Sequence, residues 1–230
     1  MALARRRAPR RRSSAAAAAP RATRPRQRIR LDNDARRAQL ITLATHAFSE
    51  RSYDEVSIDD LARTAGISKG LLYHYFPTKR DLYVAGLRAT ADELIARTIA
   101  ASSLSLPPLE RMRAGLDAYL DTVAGHARAF VALMRGGIGS DPEVAAVIEG
   151  VRRTYVETLL AKAGGTPLAG MTLEQPRIRL AVRGWIGLVE AASIDWLASP
   201  GLERHIVRDF LVESLVAIMQ VALARPPNPT

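Results

Sequence analysis

From about residue 34 to near the end of the chain, apolar side chains return every three or four positions. The two-residue alternation of a half-buried strand is missing, and so are hairpin turns of the Asn-Gly kind. That period constrains the fold to an all-α one. The breakers agree: Gly66, Gly136-Gly137, Gly164-Gly165 and Pro200-Gly201 punctuate the periodic runs. Pro108, Pro142 and Pro176 stand near first-turn positions, where a missing N–H costs nothing. The spacing predicts three early helices, about 34–51, from Ser57 to Gly66 and from Ser68 to Pro77. Longer ones follow at about 79–101, 108–124, 126–135, 142–163, 176–198 and 203–224. Ser57 caps the second helix with Asp60 three positions on, Ser68 caps the third, and Thr78 caps the fourth ahead of Asp81. Pro77 ends the third helix.

The formal charge of +10 suggests a nucleic-acid partner, but its location matters more than its size. Residues 1–30 hold 11 of the 33 basic residues and no acidic one. The other 22 basic residues face 23 acidic ones over 31–230, a net charge of −1. Bulk basicity therefore belongs to an Arg/Ala/Pro-rich tail, residues 1–33, whose composition predicts disorder. The tail reads either as a poorly constrained extension or as a basic arm adding salt-sensitive phosphate affinity.

Hydrophobic residues make up 48% of the chain, ample for a buried core. The absence of cysteine excludes disulfides, thiolate metal sites and a cysteine nucleophile, and fits a reducing cytoplasm. No apolar run reaches the roughly 18 residues that span a bilayer. His46, His74, His126 and His205 lack metal-ligand spacing, and there is no Gly-rich phosphate loop or nucleophile elbow. A soluble, cytoplasmic, non-enzymatic protein with no cofactor or metal is the expectation.

The stretch SKGLLYHYFPTKRDLY, Ser68 to Tyr83, holds four of the chain's ten Tyr and Phe residues beside Lys69, Lys79 and Arg80. At about 100° per residue, Leu72 and Phe76 share an apolar side that packs inward. Gly70, His74 and Leu71 face the opposite way, and Tyr73 and Tyr75 fall on the two flanks. A helix placed in the major groove needs this arrangement: an outward strip for base edges and flanking hydroxyls for the phosphate walls. Gly70 admits close backbone approach, and Lys69 and Lys79 add charge near each end. Each residue also has an ordinary reading. Tyr73 and Tyr75 could be half-buried packing, and His74, Lys79 and Arg80 could be solvated.

The segment Arg37–Leu82, best seen in AFSERSYDEVSIDDLARTAGISKGLLYHYFPTKRDLY, resembles the DNA-binding domain of the tetracycline-repressor (TetR) family. The matching residues are Phe48, Ser57, Gly66-Ile67-Ser68, Tyr73, Tyr75-Phe76 and Lys79. The resemblance implies that Ser57, Tyr73, Tyr75 and Lys79 touch phosphates, and that Lys69, Gly70, Leu71 and His74 read bases, with Ser68 at the helix start. Asp59 and Asp60 stand where some relatives carry a basic residue, so base reading rests on the third helix.

The resemblance also implies the domain plan: a helix-turn-helix reader over 34–80 and a helical effector-binding and dimerisation domain over 81–225. The last two long helices are the expected dimer interface, with Leu188, Ala192, Trp196, Phe210, Leu211 and Leu215 as candidates, because helices so apolar would expose a large patch on a monomer. Met112, Tyr119, Phe130, Met134, Tyr155 and Trp185 are candidates to line a cavity for a small hydrophobic effector, and ordinary core is the competing reading for each. Glu190 and Arg135 interrupt apolar runs, as buried groups awaiting partners, seam residues or helix-edge residues. The expected protein is a homodimeric, ligand-responsive repressor of a palindromic operator on double-stranded DNA. An activator of the same fold, or a sequence-indifferent DNA binder using its basic tail, are the alternatives.

Overall fold

The computed structural model describes residues 25–103, 105–135, 137–162, 176–199 and 201–224. Residues 1–24 of the expected tail, Gly136, the Gly164-Gly165 join and Pro200 lie outside them. The chain divides into two compact units, 1–36 and 37–230. In the first, the described residues 25–36 are helical. Among the described residues every regular element is helical: α1 (Pro25–Glu50), α2 (Ile58–Thr64), α3 (Lys69–Tyr75), α4 (Lys79–Ala101), α5 (Pro108–Gly125), α6 (Ala127–Arg135), α7 (Pro142–Ala161), α8 (Pro176–Leu197) and α9 (Arg204–Ala224). A short 3-10 turn, Gly137–Ser140, precedes α7.

The largest departure from the sequence reading is the start of α1, at Pro25 instead of about Asp34. Residues 25–33 have no apolar periodicity, so the pattern that locates the other helices is silent there. Proline at the first helical position and the Arg and Gln that follow are nonetheless compatible with a helix.

Caps set the next three elements. Ser57 accepts from the Asp60 amide at 3.4 Å, and Ser68 accepts from Leu71 at 3.1 Å. Thr78 and Asp81 form a reciprocal capping box. Between α2 and α3, Gly66 adopts φ +65°, a left-handed conformation that costs glycine little and other residues more. That residue turns α3 across α2.

Two apolar cores follow within the unit 37–230. The first joins Leu40, Ala44 and Phe48 of α1 to Ile58 and Leu61 of α2, Leu72 and Phe76 around α3, and Leu82 and Tyr83 of α4. Val144, from the first turn of α7, completes it with no exposed surface. The second core is built from α5, α7, α8 and α9, around Leu116, Leu120, Val156, Trp185 and Leu211. α4 packs on both α5 and α7, so it runs from the first core along the second.

Candidate DNA-reading helix and effector cavity

α3 is only two turns long, and its burial is sharply one-sided. Leu72 is fully buried and Phe76, the residue just past the helix, is 2% exposed. The Arg37 guanidinium lies 5.0 Å from the centre of the Phe76 ring. On the other side Ser68, Lys69, Gly70, Leu71, Tyr73 and His74 are all exposed. Ser57, Tyr75 and Lys79 are half-buried at the margins. His74 and Tyr75 meet edge-to-face at 5.6 Å. Six of the nine candidate DNA-contacting residues are thus exposed and three half-buried, with two large apolar side chains buried beneath α3.

The charges on this surface have partners that the sequence did not reveal. Lys69 donates to Asp59 of α2 at 3.0 Å, and the carboxylate raises the lysine's pKa. Both side chains are exposed, so solvent screens the pair and it holds Lys69 only loosely. Asp60 pairs with Arg63 instead. Lys79 reaches the Asp54 carbonyl at 3.4 Å and sits 4.5 Å from the Tyr53 ring centre. The acidic pair on α2 therefore has local work: one carboxylate positions Lys69 and the other sits beside the helix's own arginine.

Beside the first core lies a cavity of about 640 Å³ between α4, α5, α6, α7, α8 and α9. Met112, Tyr119, Phe130, Met134, Tyr155 and Trp185 all line it. Its polar groups are few. Tyr155 donates to the Thr98 hydroxyl at 3.2 Å, and burial pushes its phenol up to about 12. Burial, with Glu190 next, holds the Tyr119 phenol well above its usual value. Trp185 is anchored by its indole N–H to the Leu211 carbonyl at 2.9 Å. Glu190 is half-buried and held by Arg152 through three contacts of 2.7–3.1 Å. Arg135 is exposed and pairs with Asp195 at 3.0 Å.

Thr45, Phe48 and Ser49 of α1, with Tyr83 and Gly86 of α4, line the same cavity. The wall therefore includes Phe48 and Tyr83 of the first core itself. Sequence reasoning missed this shared wall, and it also missed the joint beside it. Arg80, at the start of α4, grips Asp141 with contacts of 2.5 and 2.7 Å. Asp141 caps α7 by accepting from the Glu143 and Val144 amides. The Arg80 contact, with the helix amides, brings the Asp141 carboxyl down to about 2. An acidic residue before Pro142 was a readable cap signal; its partner 61 positions away was not.

On α8 and α9 an apolar face points to solvent: Leu180, Ile206, Phe210 and Val221 are each about half exposed or more. Leu211 does not belong to it. It is fully buried in the second core, one helical position (about 100°) round from Phe210, and is removed from the candidate interface. Leu188, Ala192, Trp196 and Leu215 are partly buried against that core.

Residues 40–85 match the family described as "Bacterial regulatory proteins, tetR family", and residues 108–218 match "Tetracyclin repressor-like, C-terminal domain". A TetR-family transcriptional regulator from Streptomyces coelicolor is 36% identical, with a TM-score of 0.75 over 83% of each chain. The chain belongs to the TetR family of transcriptional regulators. Among curated relatives of this TetR-family chain, the transcriptional activator FasR of Mycolicibacterium smegmatis is 27% identical over 201 residues, 86% of this chain and 87% of FasR. FadR of Bacillus subtilis, solved with stearoyl-CoA, shares the fold at a TM-score of 0.60 and 17% identity, over 78% of this chain and 97% of FadR. Among the described residues no helix is long and apolar enough to cross a membrane.

Proposed function

We propose that this TetR-family chain acts in the cytoplasm as a homodimer that reads a palindromic operator through paired α3 helices and leaves it when a small hydrophobic effector fills the cavity. Its role is regulatory and not catalytic, with the reader over 34–80 and the effector and dimer functions over 81–225. One observation carries the ligand response: Phe48 and Tyr83 belong at once to the core beneath α3 and to the cavity wall. An occupant that packs against those rings cannot leave the core under the reading helix unchanged, because close-packed interiors transmit displacement.

The dimer supplies the amplification. Two-fold symmetry sets the two reading helices about 34–36 Å apart, one turn of DNA, so a small rotation of each α4 takes both off register. Coupling of about 1–3 kcal/mol is typical of such switches. The exposed Leu180, Phe210 and Val221 support α8 and α9 as the seam, since an apolar face of that kind on a monomer calls for a partner. In the reading complex His74, Leu71, Gly70 and Lys69 face the bases, and Ser57, Tyr73, Tyr75 and Lys79 hold phosphates. The cavity's apolar lining and the fold likeness to a stearoyl-CoA complex support a hydrophobic effector.

Release of DNA derepresses a gene whose operator overlaps its promoter, and we read the chain as such a repressor. The similarity to FasR favours a second reading, in which an operator upstream of the promoter makes the same release a loss of activation. Footprinting on the chain's own promoter region, with and without the ligand identified by native mass spectrometry, tests the proposal. A protected palindrome that reopens with ligand is expected. Protection that spreads without sequence and collapses at moderate salt would replace the proposal with a sequence-indifferent binder.

A further inference from the structure

We propose that Arg111, with Lys162 beside it, forms an anion-recognising end of the cavity, so that the effector is an amphiphile with an apolar body and one anionic head. This rests on the effector reading above and narrows its chemistry. Arg111 lines the cavity and is nine-tenths buried, at 9% exposure. Among the described residues its guanidinium has no hydrogen bond and no carboxylate partner. The contrast with other partly buried arginines is plain: Arg80 holds Asp141, Arg152 holds Glu190 and Arg208 holds Asp117. A guanidinium carries five N–H donors, and a buried cation left unpaired is costly. Facing into the cavity, such a group can take an anionic head.

Lys162 strengthens the case by position. It lies at the carboxyl end of α7 and donates to the Ile99 and Ser102 carbonyls, at 3.3 and 2.8 Å, where α4 ends. Burial first, and then the charge of Arg111, lower its pKa. Two cations therefore share one end of the cavity. The acidic residue in the lining, Glu190, is committed to Arg152. An incoming carboxylate or phosphate would satisfy Arg111 and relieve its repulsion with Lys162 together. Neutral ligands would leave both in place.

The orientation of the bound molecule follows. Lining residues run along α4 from Tyr83 to its cap, Ser102, about 28 Å at 1.5 Å per residue. A head held at Arg111 lies at the Ser102 end, and the apolar body then extends toward Tyr83 and Phe48 beneath the reader. Longer tails would press harder on that core.

The test uses the full chain and the fluorescence of Trp185, which lines the cavity. Hexadecanoate, hexadecanoyl-CoA and hexadecanol are titrated into wild type, Arg111→Met and Lys162→Met. The anions should bind about tenfold tighter than the alcohol, the scale of one charge-assisted hydrogen bond. Arg111→Met should erase that preference and Lys162→Met should narrow it. The order of acid and CoA conjugate tells whether the head is the carboxylate or the phosphates. Without ligand, Arg111→Met should melt no lower than the wild type, because among the described residues the guanidinium has no partner to lose. An alcohol bound as tightly as the acid, a preference kept by Arg111→Met, or a lower melting temperature for that variant would each overturn the inference while the cavity reading stands. Failure of all three probes to bind would overturn both.

Discussion

Leu72 and His74 are two positions apart on α3, yet they should fail in opposite ways. Leu72 is fully buried in the core under the helix. Truncating it to alanine removes about three carbons' worth of transfer energy, near 2.4 kcal/mol at about 0.8 kcal/mol each, before any cavity term. With the cavity included, about 3 kcal/mol is expected, inside the range of about 2–5 kcal/mol for such changes. At about 1.4 kcal/mol per factor of ten, that raises the open fraction of the reader about 140-fold. His74 is exposed, so His74→Ala should shift stability by no more than about 0.5 kcal/mol. Its effect should appear instead as relaxed discrimination at one operator position, by about 1–3 kcal/mol.

The assay must watch the correct half of the molecule. Trp185 and Trp196 both lie on α8, so a tryptophan melt follows the second core and not the reader. Amide exchange of α3 by mass spectrometry reports the reader directly, and anisotropy on single-base operator variants reports preference. Leu72→Ala should accelerate α3 exchange and weaken all operators alike; His74→Ala should leave exchange unchanged. Loosening of α3 by His74→Ala as large as that by Leu72→Ala, or a His74→Ala operator preference equal to the wild type's, would rule out this division of roles.

The remaining expectations probe other joints. Tyr73→Phe and Lys79→Ala should weaken binding on every sequence, and Lys79→Ala should reduce the salt slope by about one phosphate contact, read from affinity against ionic strength. Phe210→Glu puts a charge in the exposed α8–α9 face and should halve the mass seen by light scattering and shorten the footprint to one half-site. Burial raises the Tyr83 and Tyr155 phenols from 10.0 to about 12, so the folded state holds protons that the unfolded state gives up first. Their contribution is complete below about pH 10 and declines toward pH 12; Tyr83→Phe should flatten that alkaline limb in melts followed against pH. Asp141 shifts the other way, from 3.8 to about 2, so its contribution is present above about pH 4 and lost as pH falls toward 2. Arg80→Ala should flatten the acid limb.

The local features were legible in the sequence because each is written in neighbouring residues. The caps Ser57, Ser68 and Thr78, the stop at Gly66 and the inward pair Leu72 and Phe76 depend on spacings of a few positions. The cavity candidates Met112, Tyr119 and Trp185 came instead from the family resemblance. What was hidden depends on distant chain segments. Periodicity gives the face of a helix but not its partner, so nothing near Val144 of α7 reveals that its core lies beneath α3. Leu211 fell on the wrong side for a related reason. On a helix apolar over most of its circumference, such as α9, hydropathy cannot say which residues meet the chain's own core and which meet solvent. Arg111 was one basic residue among 33, and what sets it apart is burial with no carboxylate partner among the described residues. The early start of α1 was invisible because an arginine-rich run carries helix propensity without pattern.

On the proposed mechanism, filling the cavity loosens the grip of α3 on DNA. One titration measures both ends at once: Trp185 fluorescence for occupancy and anisotropy of a labelled operator fragment for DNA affinity, as hexadecanoate or its CoA thioester is added. The operator Kd should rise about 5–150-fold, in step with occupancy. Full occupancy with an unchanged operator Kd would contradict it.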